Sequence, residues 1–137
     1  MSARYRTEAI NRDGGDGVAR ITDGMAVEVS SPLGAHVDES ASNPEQLLAL
    51  SWATCLNATA QTIVRGRQRT AVRVVVELHP ADPGPGFAFH VDAFLSVEGA
   101  DAAEAEELLA AAHARCPVSK LIGAAATVHV HVEEFVS

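Results

Sequence analysis

Basic residues and cysteines are both scarce in this chain, and each scarcity narrows what it can do. Ten Lys and Arg stand against 18 Asp and Glu, giving a formal charge of -8 and a pI near 5.1. Nucleic acid binding needs cations clustered against phosphate, so the balance argues against that class. The local exception is Arg65, Arg67, Arg69 and Arg73. These read as charge complementing a helix C-terminus and running on into a strand, or as a docking patch for an acidic partner. No apolar segment follows Met1-Ser2-Ala3-Arg4-Tyr5-Arg6, so a secretory leader is not expected. With two cysteines and no export signal, the expected compartment is a reducing cytoplasm, where a disulfide is transient rather than structural.

Other absences are as informative. The one glycine cluster, Asp13-Gly14-Gly15-Asp16-Gly17, is acidic and would repel phosphate. His129 and His131 share a strand face, but no third ligand stands at metal spacing. His79, His90 and His113 read as scattered. No Cys-x-x-Cys pair is present, which weakens a general disulfide oxidoreductase, and neither a Ser/His/Asp order nor a carboxylate pair emerges.

What is present builds one domain over residues 1–137. The chain is 47% hydrophobic and 20% charged, enough to bury a core, although a chain of this size often gains from dimerisation. Strands are expected over Tyr5–Ile10, Val18–Thr22 and Met25–Ser30, with turns at Asp13–Gly17 and Asp23-Gly24. In the third strand Met25, Val27 and Val29 alternate against Ala26, Glu28 and Ser30, the period of a half-buried strand. Pro32–Ala41 reads as a loop.

A helix then begins, capped by Ser42 or Asn43, with Pro44 in first position and Glu45 on the positive end. It is apolar nearly all round to Val64, which predicts burial on most faces, and Gly66 ends it. The run from Leu47 to Val64 is about membrane-span length. Ser51, Thr54, Asn57, Thr59, Gln61 and Thr62 interrupt it, so a buried helix fits better than a membrane span. A strand with Val72, Val74, Val76 and Leu78 on one face follows, then a turn over Pro80–Gly86 and a partner strand over Phe87–Val97. Asp101 with Glu104 resembles a capping box, opening a helix whose buried stripe is Ala105, Leu108, Leu109 and Ala112. Pro117 interrupts that helix, Val118–Ile122 forms a short extra turn, and Thr127–Phe135 is the last strand, with Val128, Val130 and Val132 facing in. The class is α+β, with helices on one sheet face.

Two residue types carry the chemistry. If Pro117 opens a helical turn, Cys116 sits at its cap, where unpaired N–H groups lower a thiol pKa, and Arg115 and Lys120 add positive charge nearby. Cys55 lies mid-helix among Ser51, Trp52, Ala58 and Thr59, a mostly apolar wall. Desolvation there would silence it unless a cation is near, and its own helix supplies none; by itself it reads as a core residue. Glu45 lies ten positions earlier, about 15 Å along a straight helix, too far for direct contact. It either charges the helix start or reaches the thiol through an arginine, a bend or a second chain.

Ser42-Asn43-Pro44-Glu45-Gln46-Leu47, Ala53-Thr54-Cys55 and His113-Ala114-Arg115-Cys116-Pro117-Val118-Ser119 together resemble the family of organic hydroperoxide resistance proteins and osmotically inducible protein C. The resemblance runs from about Tyr5 to the C-terminus. It implies an OsmC-like fold, antiparallel sheets around a long buried central helix, in an intertwined homodimer with two interfacial active sites. It implies that Cys55 is the peroxidatic thiol, that Cys116 resolves it into a disulfide, and that Glu45 holds an arginine which stabilises the thiolate. The Asn-Pro-Glu-Gln form leans to the organic hydroperoxide branch, and Cys-Pro-Val-Ser-Lys to the osmotically inducible one.

The arginine is where this chain departs from the resemblance. Its position in the glycine-rich turn falls on Gly15, with Arg12 three residues earlier and Arg20 five later as candidates. The loop before Asn43, where the other branch places its arginine, holds only His36. The expected activity is reduction of organic hydroperoxides by sulfur alone, without metal, flavin or haem. Trp52, Leu48 and Leu56 would give an apolar wall favouring bulky substrates. An external dithiol, by resemblance a lipoyl group, would complete the cycle. The alternative is a non-catalytic dimer of the same fold that binds a small apolar ligand.

Overall fold

The computed structural model describes residues 2–137, which fall into two compact units, residues 2–47 and 48–137. The first is a three-stranded antiparallel sheet of β1 (Ala9–Asn11), β2 (Gly17–Ile21) and β3 (Ala26–Val29), in that order. Asn11 builds the first turn by accepting from Gly14 N at 2.7 Å and donating to Gly14 O at 2.9 Å, while Gly14 adopts φ 80°. Asp13 then takes Val18 N at 2.9 Å, and Gly17 at φ 146° leaves room for that carboxylate where a Cβ would clash.

Two sequence expectations shift here. The first strand starts at Ala9, not Tyr5, which is 82% exposed, because the five-residue β2 offers no partner so far back. Met25 is 66% exposed and does not share a buried face with Val27 and Val29; it precedes β3 at the tip of the hairpin.

The loop after β3 returns to pair with it. Ser30 N donates to Ser42 O at 2.9 Å and Ser42 N to Glu28 O at 2.8 Å. Ser42 being held by that strand, Asn43 caps the helix: its Oδ1 accepts from Gln46 N at 2.8 Å.

Helix α1 (Pro44–Val64) leads into the second unit. There β4 (Thr70–Pro80) and β5 (Phe87–Val97) pair antiparallel along their whole length, α2 (Ala102–Arg115) and α3 (Pro117–Ile122) cross over, and β6 (Val128–Val132) returns beside β5. The β5–β6 pair is parallel, a departure from all-antiparallel sheets. A helical crossover between neighbouring strands requires that direction.

The core of this unit joins α1, β5 and α2. From α1 come Trp52, Leu56, Ala60 and Val64, one residue per turn; from β5 Val91, Ala93, Leu95 and Val97; from α2 Ala105, Leu108, Leu109 and Ala112, continued by Cys116. Within a single chain only that stripe of α1 is buried, and Leu50 is 63% exposed. The stripe follows helical period, whereas the remaining apolar face has no cover within one chain. By length and composition alone α1 could span a membrane, yet its Trp52-to-Val64 stripe is part of the protein core.

The basic run is largely engaged within the fold. Arg67 Nε donates to Val64 O at 2.9 Å at the end of α1, Arg69 lies 3.6 Å from Glu98, and Arg73 forms a two-pronged pair with Glu133 at 2.7 and 3.2 Å. That pair lowers the Glu133 carboxyl below its ordinary range.

Candidate active site

Proline chemistry builds the site. Pro117 has no N–H to donate and disfavours helical ψ at the residue before it, so α2 must stop at Cys116, which takes φ -62° and ψ 121°. The same proline is well placed as the first residue of a new helix. Cys116 is therefore at once the C-cap of α2, its N–H donating to Ala112 O at 2.8 Å, and the N-cap of α3.

The first two N–H groups that α3 has free belong to Val118 and Ser119, and both lie beside the sulfurs. Ser119 N donates to Cys116 Sγ at 3.4 Å, and the Val118 N–H lies near enough to the Cys55 sulfur to favour its thiolate. The structure thus brings Cys55 and Cys116 together as free thiols, Cys55 half-buried and Cys116 fully buried.

Their environment is mixed. Burial pushes the Cys55 thiol above its ordinary pKa, the Val118 N–H pulls it back, and the adjacent Cys116 thiol pushes it up again by hydrogen bonding and by charge. Among residues 48–137, no Lys, Arg or His side chain is hydrogen-bonded or ion-paired to either sulfur. Arg115 and Lys120, expected to add charge beside Cys116, have exposed side chains and do not reach it. The cysteine turns into the core, and its neighbours in sequence therefore turn out of it.

Other expected site residues lie in the first unit. Glu45 occupies the first turn of α1, and its Oε2 is buried without a hydrogen-bond partner. Arg12 follows β1, Arg20 lies within β2, and with Asp13 and Val18 they line one cavity of about 200 Å³. Among the described residues neither arginine makes a side-chain hydrogen bond or ion pair. His36 is exposed on the loop before Ser42.

A match to the family described as OsmC-like protein covers residues 37–131, which includes both cysteines. The chain belongs to the OsmC-like family. Among OsmC-like relatives, an organic hydroperoxide resistance protein-like protein of Mycoplasma pneumoniae is 33% identical over 129 residues, 89% of each chain. Organic hydroperoxide resistance protein OhrA of Bacillus subtilis is 33% identical over 99 residues, 70% of each. An organic hydroperoxide resistance protein from Elizabethkingia anophelis superposes with a TM-score of 0.87 at 25% identity, covering 98% of this chain and 100% of that one. The organic hydroperoxide resistance protein OsmC from Legionella pneumophila gives a TM-score of 0.83 at 28% identity, covering 98% and 100%. The OsmC-like fold is thereby established.

The histidines of this OsmC-like chain are less scattered than the sequence suggested. The hairpin register sets His90 opposite Glu77, bringing the His79 and His90 rings to 4.2 Å. His131 binds Asp92 at 2.7 Å and stacks on Phe94 at 4.7 Å. Among the described residues no group of three His, Cys, Asp or Glu side chains is arranged to hold a metal ion.

Proposed function

We propose that the protein is a thiol-dependent peroxidase for organic hydroperoxides. The observation that carries this reading is the pairing of two free thiols beside the first turn of α3, where the Ser119 N–H donates to Cys116 Sγ. Relatives that bear the name organic hydroperoxide resistance protein support the substrate class.

In the first step the Cys55 thiolate attacks the distal peroxide oxygen. The O–O bond breaks, the alkoxide takes a proton and leaves as alcohol, and Cys55 becomes a sulfenic acid. Cys116 sulfur then attacks the Cys55 sulfur; an S–S bond forms, the S–O bond breaks, and water leaves carrying the Cys116 proton. An external dithiol, a dihydrolipoyl group by family likeness, reduces the disulfide by exchange. A buried thiol needs a cation to ionise near neutral pH, and Arg12 or Arg20 is the proposed source, held by the unpartnered carboxylate of Glu45.

The working unit in this reading is a cytoplasmic homodimer. From Gln46 to Val64 the helix α1 carries no charge, yet one chain covers only its Trp52-to-Val64 stripe. A second copy would cover the rest.

Intact mass of the reduced protein before and after one equivalent of cumene hydroperoxide tests the chemistry. Wild type should lose two hydrogens, Cys116→Ser should stop at a sulfenic acid on Cys55, and Cys55→Ser should abolish turnover. An unchanged wild-type mass would overturn the proposal. A second reading, a dimer that binds a small apolar ligand without catalysis, would then stand. It is supported by the raised Cys55 pKa and by an apolar cavity of about 330 Å³ lined by Leu48, Phe89, Val91, Leu121 and Ile122 among others.

A further inference from the structure

Trp52 and Ser119 stand in matching places beside the two thiols. Trp52 lies one helical turn before Cys55 on α1, and Ser119 one turn after Cys116 on α3. Their side chains are joined: Trp52 Nε1 donates to Ser119 Oγ at 2.9 Å, across 67 positions of sequence. Both residues are buried, Trp52 at 0% and Ser119 at 2% exposure. The indole N–H is a donor only, and in a dry core it must find an acceptor. From these observations we infer that the Trp52–Ser119 hydrogen bond is a clasp that sets Cys55 and Cys116 in register for disulfide closure, making both of them positioning residues. The inference rests on the two-cysteine peroxidase reading and deepens it.

The geometry gives the clasp its leverage. Bonds between two helices fix their relative slide and rotation, and residues three apart on a helix lie on one face. The Trp52–Ser119 bond therefore runs alongside the Cys55–Cys116 approach and couples α1 to α3 at the level of the sulfurs. Ser119 also holds Cys116 directly, its N–H on Sγ at 3.4 Å, so one residue touches the second thiol through its backbone and α1 through its side chain.

The far side of Ser119 is held as well. Gly123 N donates to Ser119 O at 2.7 Å, and a Cβ on Gly123 would come within 2.5 Å of that oxygen and 3.2 Å of His113 Cε1. The His113 ring in turn lies 6.5 Å from the Trp52 ring. Disulfide formation is demanding in distance and dihedral, so closure depends on how much of the time the sulfurs hold that geometry. Attack of Cys55 on a hydroperoxide needs no second sulfur in register.

The clasp thus predicts a split between two steps of one reaction. In the full-length protein treated with cumene hydroperoxide, rapid quench and mass analysis follow sulfenic acid formation and disulfide closure separately. Ser119→Ala, which keeps the backbone N–H, and Trp52→Phe, which keeps an aromatic ring, should each slow closure about tenfold. The effect on closure should exceed that on sulfenic acid formation at least fivefold, so the sulfenic acid accumulates. Ser119→Thr, which restores a hydroxyl, should recover closure, and the double variant should be no slower than either single one.

Closure at the wild-type rate in both single variants would overturn the clasp, as would equal slowing of both steps. Diamide provides an arm independent of peroxide chemistry. A thiolate adds to the azo bond, the second thiol displaces the adduct, and the disulfide forms as the hydrazine leaves. Slower diamide closure in Ser119→Ala supports the clasp even if cumene hydroperoxide oxidises nothing; failure with peroxide alone counts against the peroxidase reading only.

Discussion

On the Cys55 sulfur, burial and the Cys116 thiol favour the protonated form, while the Val118 N–H favours the thiolate. A single amide bond does not offset desolvation here, and the net shift is upward. A cation within about 4–6 Å would reverse it by about one to three pKa units. We therefore expect Arg12→Ala or Arg20→Ala to raise the midpoint of Cys55 alkylation against pH by at least one unit and to lower peroxidase turnover at pH 7 about tenfold or more. Iodoacetamide labelling followed by mass analysis reads the midpoint. If neither variant moves it and the wild-type midpoint lies above the ordinary thiol value of about 8.5, the ligand-binding reading gains. The same shift has a stability consequence. With the folded pKa above the unfolded one, the thiol's contribution is fully present below the unfolded value of about 8.5 and is lost as pH rises through the folded value. Urea midpoints should therefore fall across that alkaline window in whichever of Arg12→Ala and Arg20→Ala removes the cation, and less so when Cys55→Ser is added.

Among the elements, α2 and α3 were the most legible in sequence and β1 the least. Asp101 and Glu104 form the expected capping box, Glu104 N to Asp101 Oδ1 at 2.8 Å and Asp101 N to Glu104 Oε1 at 3.4 Å. Asp101→Ala should cost about 1 kcal/mol of stability, measured by urea unfolding, and leave the peroxide reaction unchanged. Such caps are local, since the residues that signal them are three apart and touch each other. Pro117 is legible for the same reason, because its ring restricts the residue next to it whatever the rest of the fold does. The limits of β1 depend instead on how far β2 extends beside it, and the exposed Met25 on where the β2–β3 turn falls. Gly123 belongs with these tertiary constraints. Its sequence marks only a helix end, whereas the fold leaves no room for a Cβ between Ser119 O and His113. Gly123→Ala should therefore destabilise by about 1–3 kcal/mol, the range of an overpacked core, read as a lowered Tm.

For the molecule as a whole, the uncharged face of α1 is the outstanding feature. Leu50 is 63% exposed on a helix without a charge from Gln46 to Val64, a surface that a second copy would bury. We expect sedimentation velocity to find a dimer at micromolar concentration. Leu50→Glu, which places a charge in that interface, should weaken the dimer at least a hundredfold and lower peroxidase turnover with it. A wild-type monomer at those concentrations would remove the dimer from the proposed function. The order of the elements, the caps at Asp101 and Cys116, the choice of Ser42 or Asn43 at α1, and the two unlike cysteines are all legible in the sequence. Hydrophobic period, proline geometry and short-range hydrogen bonds decide these within a few residues. The packing of whole elements set β6 parallel to β5, brought His79 to His90, put the Ser119 N–H on the Cys116 sulfur, and bonded Trp52 to Ser119. Those contacts join distant parts of the chain. They depend on how whole elements pack, and no local preference of φ, ψ or side-chain period encodes them.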